Sequence, residues 1–365
     1  MAKSKKRTRP KRKKSVAQLM VSADSELMVG QSARDAGRLR GVIPTGLESV
    51  DIAIGRGGLP QGRVSMIQGD EGGGKTTFCL SCCRSVQERG GVAIYADPER
   101  KLDLGYAEKV GVDLDELILD HPRTMERFAL TLKRSVDRLL DICEEEGEEI
   151  PGLIVVDSIT ALDTFLETSL EDLAGQGKPR KGRKKGEGVA PRVGAQPLAM
   201  SVLLRKIVPV LAESPIALLL VSQLRTKLTH WGAQNDSTCG RAPKFYSCLI
   251  IQARPESENE SGSRVGERVE FYVAKNQIAQ PFKSGQYSIL GARGLDRERD
   301  ILDAAVTLDL AERAAKGGWI TFSDDTPFKG LKVQGPRGLR VKMRKRPELG
   351  DEIRAVIRKT AGWED

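Results

Sequence analysis

Histidine is almost missing from this sequence: its 365 residues include only His121 and His230. Imidazole acid–base chemistry is therefore not expected, nor is a metal site that needs four nitrogen or sulfur donors in paired spacing. Cysteine is sparse as well, and six in a chain of this length do not make a disulfide framework. Cys79, Cys82 and Cys83 fall at i, i+3 and i+4, the spacing of small core residues on one helix face. The longest strongly apolar run, Ile216 to Val221, is far too short to span a bilayer. No apolar stretch follows the basic N-terminus as a secretory signal requires. The expectation is a cytoplasmic protein without a membrane partner, long enough for one large domain or two modest ones.

Positive charge is plentiful, and it is clustered. Residues 3–14 hold nine Lys or Arg and no acid, and the chain after Lys14 balances at 50 basic and 50 acidic residues. A second cluster lies in GQGKPRKGRKKGEGVAPR, residues 175–192, where Lys178, Arg180, Lys181, Arg183, Lys184 and Lys185 stand close together. A third runs from Lys329 to Arg346, with eight cations and no acid. Clusters of one sign suit a polyanionic partner. A solvated run that only aids solubility is the plainer alternative.

From residue 62 the apolar pattern becomes regular. It predicts a strand at RVSMIQ, a helix at GKTTFCLSCCRSVQER, a strand at GVAIYAD and a long amphipathic helix from Thr124 to Gly147. In that helix Phe128, Leu132, Val136, Leu139, Leu140 and Cys143 recur at three-to-four spacing. PGLIVVDS and PIALLLVSQ read as strands buried on both faces, with a helix at PLAMSVLLRKIVPVLAE between them. This alternation predicts an α/β fold around a mostly parallel sheet. SCLIIQAR, RVEFYVA and YSIL follow without intervening helices, so an antiparallel extension of the sheet is expected. The last 70 or so residues read as helical again, at DILDAAVTLDLAERAAK and GDEIRAVIRKT, in a small separate domain.

GDEGGGKT (Gly69, Asp70, Glu71, Gly72, Gly73, Gly74, Lys75, Thr76) matches G-x-x-x-x-G-K-[ST] in full, after a strand and opening a helix. Such a loop turns backbone N–H groups toward phosphate oxygens, and the helix start adds partial positive charge. Lys75 then reaches the β- and γ-phosphates, and the Thr76 hydroxyl reaches Mg²⁺. Asp157 ends a buried strand, at the sheet edge where ligands bind, and suits the same metal. Asp97 and Glu99 end the neighbouring strand, and Glu99 is the candidate general base. A surface acid paired with Arg100 or Lys101 is the alternative reading of Glu99.

These motifs, with TGLESVDIAIGRGGLPQGR, DPERKLD, YAEKVGVD, SQLRTKL, KFY, KNQIAQPF and GGWITF, resemble the bacterial RecA-type recombinases from about residue 44 to 322. The resemblance implies a RecA-like P-loop ATPase core, with Glu99 as catalytic glutamate and Thr77, Ser158 and Pro281 among the ATP contacts. It implies that Asp103 and Tyr106 hold the adenine, and that Gln223 senses the γ-phosphate. Lys275 would reach a neighbouring subunit's nucleotide. Leu224 to Pro243 would be a second DNA-binding loop, with Arg225, Thr226, Leu228, Thr238, Gly240 and Arg241 as its contacts. The basic cluster at 175–192 lies where the family has its first loop, ahead of a helix carrying Ser201 and Arg205.

The organisation so implied is a disordered arm at 1–14, an N-terminal oligomerisation segment at 15–60, and an ATPase core at 61–292. DNA loops would lie near 163–195 and 224–243, with a small basic α+β domain at 293–365. The function implied is ATP- and Mg²⁺-dependent assembly of helical filaments on single-stranded DNA, with pairing to homologous duplex DNA. A self-cleaving repressor is a further partner the family can have. Three departures stand out: Gln277 where a second cross-subunit lysine is usual, Cys239 for a glycine, and Arg241 for an asparagine. A ring-forming DNA motor and an accessory DNA-binding ATPase without strand exchange remain as alternatives.

Overall fold

The computed structural model describes residues 39–164 and 195–363, except 230–231, 238 and 261–262. The arm at 1–14, the cations from Lys178 to Lys185 and Thr238 lie outside the described residues. The chain from Gly41 onward makes one compact unit. Its elements are β1 (Val42–Ile43), α1 (Glu48–Ile54), β2 (Leu59–Pro60), β3 (Val64–Gly69), α2 (Lys75–Gln87), β4 (Val92–Ala96), α3 (Leu104–Val110), β5 (Leu117–Asp120), α4 (Met125–Glu146) and β6 (Gly152–Val156). There follow α5 (Ala195–Ala212), β7 (Ile216–Thr229), β8 (Gly232–Ser237), α6 (Ala242–Tyr246), β9 (Leu249–Glu260), β10 (Ser263–Asn276) and β11 (Ser284–Ile289).

Among the described residues nine strands form one sheet in the order β11-β10-β9-β3-β7-β6-β4-β5, with β8 paired to the outer half of β7. Alternation along the strands divides the core into two layers. Ile67, Leu153, Val155 and Leu219 pack with Phe78, Leu80 and Val86 of α2, together with α1 and α3. Met66, Ile154, Val156, Leu218 and Leu220 pack on the other face with Phe128, Leu132 and Val136 of α4 and Leu203, Leu204 and Ile207 of α5. Burial on both faces is why β6 and β7 read as unbroken apolar runs. Cys79, Cys82 and Cys83 are fully buried in α2, and burial raises each thiol above its ordinary pKa. Residues 42–60, placed by the sequence in the N-terminal segment, contribute Ile43, Leu47, Val50, Ile54 and Leu59 to the first layer.

Three elements differ from expectation. β9 runs parallel to β3, pairing Met66 with Ile250 and Gln68 with Gln252, so the antiparallel extension begins only at β10. The β7–β8 hairpin and the five-residue α6 make the crossover, and neither carries a long apolar helical pattern. β5, with only four residues on the sheet edge, has too little pattern to register as a strand. The helix expected over residues 300–316 stops at Thr307. Asp309 takes a left-handed φ of 57° and the Leu310 N–H turns back to the Ala305 carbonyl, a helix stop made without glycine.

That helix, α7 (Arg297–Thr307), opens a C-terminal module with β12 (Ala311–Arg313), β13 (Trp319–Phe322), β14 (Lys332–Gln334), α8 (Gly335–Lys345) and α9 (Leu349–Thr360). The module has a core of its own, including Ile301, Leu302, Phe322, Val333, Leu339 and Ile353. Asp300 ties it to α1. Leu47 at the N-cap of α1 has no capping side chain, and Asp300 does that work from α7. Its Oδ2 accepts the Glu48 N–H at 2.6 Å, and its Oδ1 accepts the Ser49 N–H at 3.2 Å and the Ser49 hydroxyl. Asp300→Ala is expected to cost about 2–3 kcal/mol by uncapping buried N–H groups, read as a lower urea midpoint. Burial pushes the Asp300 carboxyl up to about 7, against the hydrogen bonds from Glu48 and Ser49. Its stability contribution is therefore greatest in acid and is lost as pH rises from about 4 through about 7. The alanine variant should lack that slope.

Candidate functional site: a nucleotide cleft at the sheet edge

β3 ends at Gly69, and the next five residues turn into α2 with Gly72 at φ 73° and Gly74 at φ 70°. A Cβ at Gly74 would stand 2.7 Å from Ile289 Cδ1, and one at Gly73 2.9 Å from the Asp70 carbonyl oxygen. Glycine is what allows the turn to wind this tightly. No side chain caps the start of α2, so its first N–H groups are left for a ligand. Residues 71–77 line a cleft of about 640 Å³ together with Tyr95, Asp97, Glu99, Lys101, Asp103, Tyr106, Asp157 and Gln223.

The side chains in this cleft hold one another. The buried Lys75 donates from Nζ to the Gly69 carbonyl at 3.1 Å and to the Asp70 carbonyl, so the loop's own oxygens satisfy the ammonium. Burial lowers its pKa, against the pull of Asp157. Asp157 Oδ2 accepts the Thr76 hydroxyl at 2.6 Å and the Tyr95 hydroxyl at 2.7 Å. Burial raises the Asp157 carboxyl, with those two bonds opposing the rise. Glu99 Oε1 accepts the Ser158 hydroxyl at 2.7 Å, and Oε2 stands 2.7 Å from Lys101 Nζ. Burial pushes Glu99 up, but the Lys101 and Ser158 hydrogen bonds outweigh it and leave it below the ordinary glutamate value. The sequence offered a general base or a surface acid paired with Arg100 or Lys101, and in the fold Glu99 both lines the cleft and pairs with Lys101.

Asp103 caps α3 by accepting the Tyr106 N–H at 3.0 Å, and the Tyr106 hydroxyl lies 2.9 Å from Thr77 Oγ1. A half-buried aromatic ring is thereby fixed at one end of the cleft. The donors present fit the expected groups. Thr76 and Asp157 offer only oxygen, as Mg²⁺ prefers. The glycine cradle, helix start and buried lysine fit a polyphosphate.

The comparisons with known proteins decide the family. The RecA N-terminal domain model matches residues 23–296. The chain belongs to the RecA family. Protein RecA of Kineococcus radiotolerans is 34% identical over 323 residues, covering 88% of this chain and 83% of that protein. Protein RecA of an Arthrobacter species is 32% identical over 358 residues, covering 97% and 93%. Protein RecA of Thermus aquaticus is 34% identical over 319 residues, covering 87% and 84%. The chain is a RecA-type recombinase, a DNA-dependent ATPase of homologous recombination and repair.

The remaining RecA-type positions fall into three places. Gln223 pairs in register with Gly69 and lines the cleft, at the point where β7 leaves the core. Lys275 and Pro281 do not line it. Lys275 Nζ donates to the Lys244 and Phe245 carbonyls at 3.0 Å each, and Pro281 sits in the turn between β10 and β11. Arg225, Thr226 and Leu228 lie on the β7–β8 hairpin, which pairs Leu224 with Ser237 through to Thr229 with Gly232. Gly240 and exposed Arg241 follow it, while half-buried Ser201 and exposed Arg205 lie on α5. Cys239 is buried and donates from Sγ to the Ile159 carbonyl at 3.3 Å, close to Asp157 and Ser158 in the chain.

Sequence reasoning missed Tyr95, whose hydroxyl holds Asp157. Its apolar strand context gave no sign that the phenol tip reaches across to β6. It also treated Lys101 only as a surface partner. Among the described residues no helix is long and apolar enough to cross a membrane.

Proposed function

We propose that this cleft binds ATP with Mg²⁺, and that its hydrolysis governs a helical filament of this chain on single-stranded DNA. The observation that carries the reading is the meeting of Lys75, Thr76, Asp157 and Glu99 around one glycine-wound loop. Bound Mg²⁺ would offset phosphate charge, and Thr76 and Asp157 are the residues that would hold it. Lys75 exchanges its two loop carbonyls for phosphate oxygens. Glu99, fixed by Ser158, takes the proton of the attacking water. Tyr95 keeps the Asp157 carboxylate aimed at Thr76. Asp103 and Tyr106 receive the base, and Gln223 reads whether a γ-phosphate is present. Lys275 and Pro281 serve a neighbouring copy's nucleotide, which accounts for their distance from the chain's own cleft.

The hairpin from Leu224, together with Gly240, Arg241, Ser201 and Arg205, forms the DNA-facing side, and the cations from Lys178 to Lys185 bind the same strand. A self-cleaving repressor is a further partner in this reading, and the cytoplasm is its compartment. If each of those six cations neutralises one phosphate, log affinity for single-stranded DNA falls against log salt with a slope contribution of about −4. Replacing all six with serine removes that share of the slope in a fluorescence-anisotropy titration. An unchanged slope would take the segment off the DNA. ATP turnover with and without single-stranded DNA, beside electron microscopy of assemblies in a non-hydrolysable analogue, tests the whole reading. Stimulated turnover and helical filaments are expected, whereas rings or no assembly would reject it.

A further inference from the structure

Glu99 and Lys101 flank Arg100, whose φ of 55° is left-handed. That conformation costs an arginine about 1–2 kcal/mol and persists only where the surroundings impose it. Asp97 imposes it here. The buried Asp97 accepts the Leu102 N–H on Oδ2 at 2.9 Å, and its carbonyl accepts the Arg100 N–H at 3.4 Å. The turn so held brings Lys101 Nζ to 2.7 Å from Glu99 Oε2, on the cleft wall shared with Lys75, Thr76, Asp157 and Gln223. An exposed ion pair of this kind adds little to stability. Its partner, however, is the candidate base, and a strained turn maintains it. The Lys101 side chain is 74% exposed, so its flexible stem is free to leave Glu99 without disturbing any packing.

Among the described residues lining the cleft, Lys75 and Lys101 are the cations. The resemblance puts a second cross-subunit lysine at position 277, and this chain has an exposed Gln277 there. We propose that Lys101 supplies the missing cation from the same chain that holds the nucleotide. It rests on Glu99 while no γ-phosphate is bound, then moves onto the γ-phosphoryl oxygens, freeing Glu99 Oε2 to accept from the attacking water. Phosphoryl transfer is catalysed mainly by positioning and charge, so one cation placed there has large leverage. The inference rests on reading Glu99 as the base and residue 277 as a cross-subunit position.

The test uses the full chain with Lys101→Met, Lys101→Arg, Gln277→Lys and the Met/Lys double variant. Binding of ADP alone, and of ADP with aluminium fluoride as a mimic of the transferred phosphoryl group, is measured beside turnover on single-stranded DNA. Lys101→Met should bind ADP as the parent does, bind the aluminium fluoride complex about 10- to 100-fold more weakly, and lose kcat by the same factor with KM nearly unchanged. Lys101→Arg should retain most of both, and Gln277→Lys should restore the Met variant. A Met variant that binds the mimic normally, or turns over as fast as the parent or faster, overturns the proposal. Loss without rescue upholds Lys101 as the cation and overturns the link to position 277. A parent chain that shows no DNA-stimulated turnover refutes the hydrolytic reading itself, while mimic binding still judges Lys101.

Discussion

Glu99→Gln is expected to hydrolyse ATP about 10²- to 10⁴-fold more slowly than the parent while binding it with similar affinity. The amide has the size of the carboxylate and can still accept the Ser158 hydroxyl bond that Glu99 Oε1 takes. It cannot accept a proton from water at neutral pH. Its NH₂ group would also face the Lys101 ammonium that Oε2 now meets, so Lys101 is set free rather than the cleft rebuilt. Because binding survives, filaments of the variant should form normally and persist after free ATP is removed. Single-turnover hydrolysis and light scattering measure the two halves. Turnover within about threefold of the parent would remove Glu99 from the chemistry, and rapid disassembly would uncouple hydrolysis from release.

Lys75→Ala acts earlier. A charged hydrogen bond is worth about 1.5–3 kcal/mol, so nucleotide affinity should fall about 10- to 100-fold. Turnover of whatever binds should fall by about 10²–10³, the usual loss for one preorganised donor. The loss can be read without DNA. ADP at 100 times its dissociation constant protects a folded chain by about 2.7 kcal/mol, and a hundredfold weaker site leaves only a few tenths. A tenfold weaker site would keep about 1.4 kcal/mol, so ADP should raise the unfolding temperature of the variant by about half as much as that of the parent, or less. Equal protection in both would place nucleotide somewhere other than the glycine-wound loop.

Lys75, Thr76 and Asp157 were legible in the sequence because their signals are local. A glycine turn needs a fixed spacing, and an acid ending an apolar run is placed by its strand. The two-layer core was legible for the same reason, since the period of β6 and of α4 is written in consecutive residues. What escaped reading depends on residues far apart in the chain. Tyr95 has the profile of a core aromatic until β4 and β6 are set side by side. The direction of β9 is decided by a hairpin and five helical residues, too short to show a period. The bond from Cys239 to the Ile159 carbonyl joins segments 80 residues apart. Asp309 ended a helix that composition alone continued. The cations from Lys178 to Lys185 were legible as charge between a predicted strand and a predicted helix, with no apolar period of their own.

β7 runs unbroken for 14 residues, from the centre of the sheet past Gln223 to Thr229. Its first half is clamped between β3 and β6. Among the described residues its second half is paired only with β8, as a two-stranded arm. At about 3.3 Å per residue, the tip stands roughly 20 Å beyond Gln223. A beam fixed at one end and pushed near its support swings most at its tip, so a small displacement of Gln223 becomes a larger sweep of the hairpin. Among the described residues no break in the strand separates Gln223 from Thr229. If the hairpin faces DNA as proposed, occupancy of the nucleotide cleft would be felt there as a change in the angle of the whole hairpin.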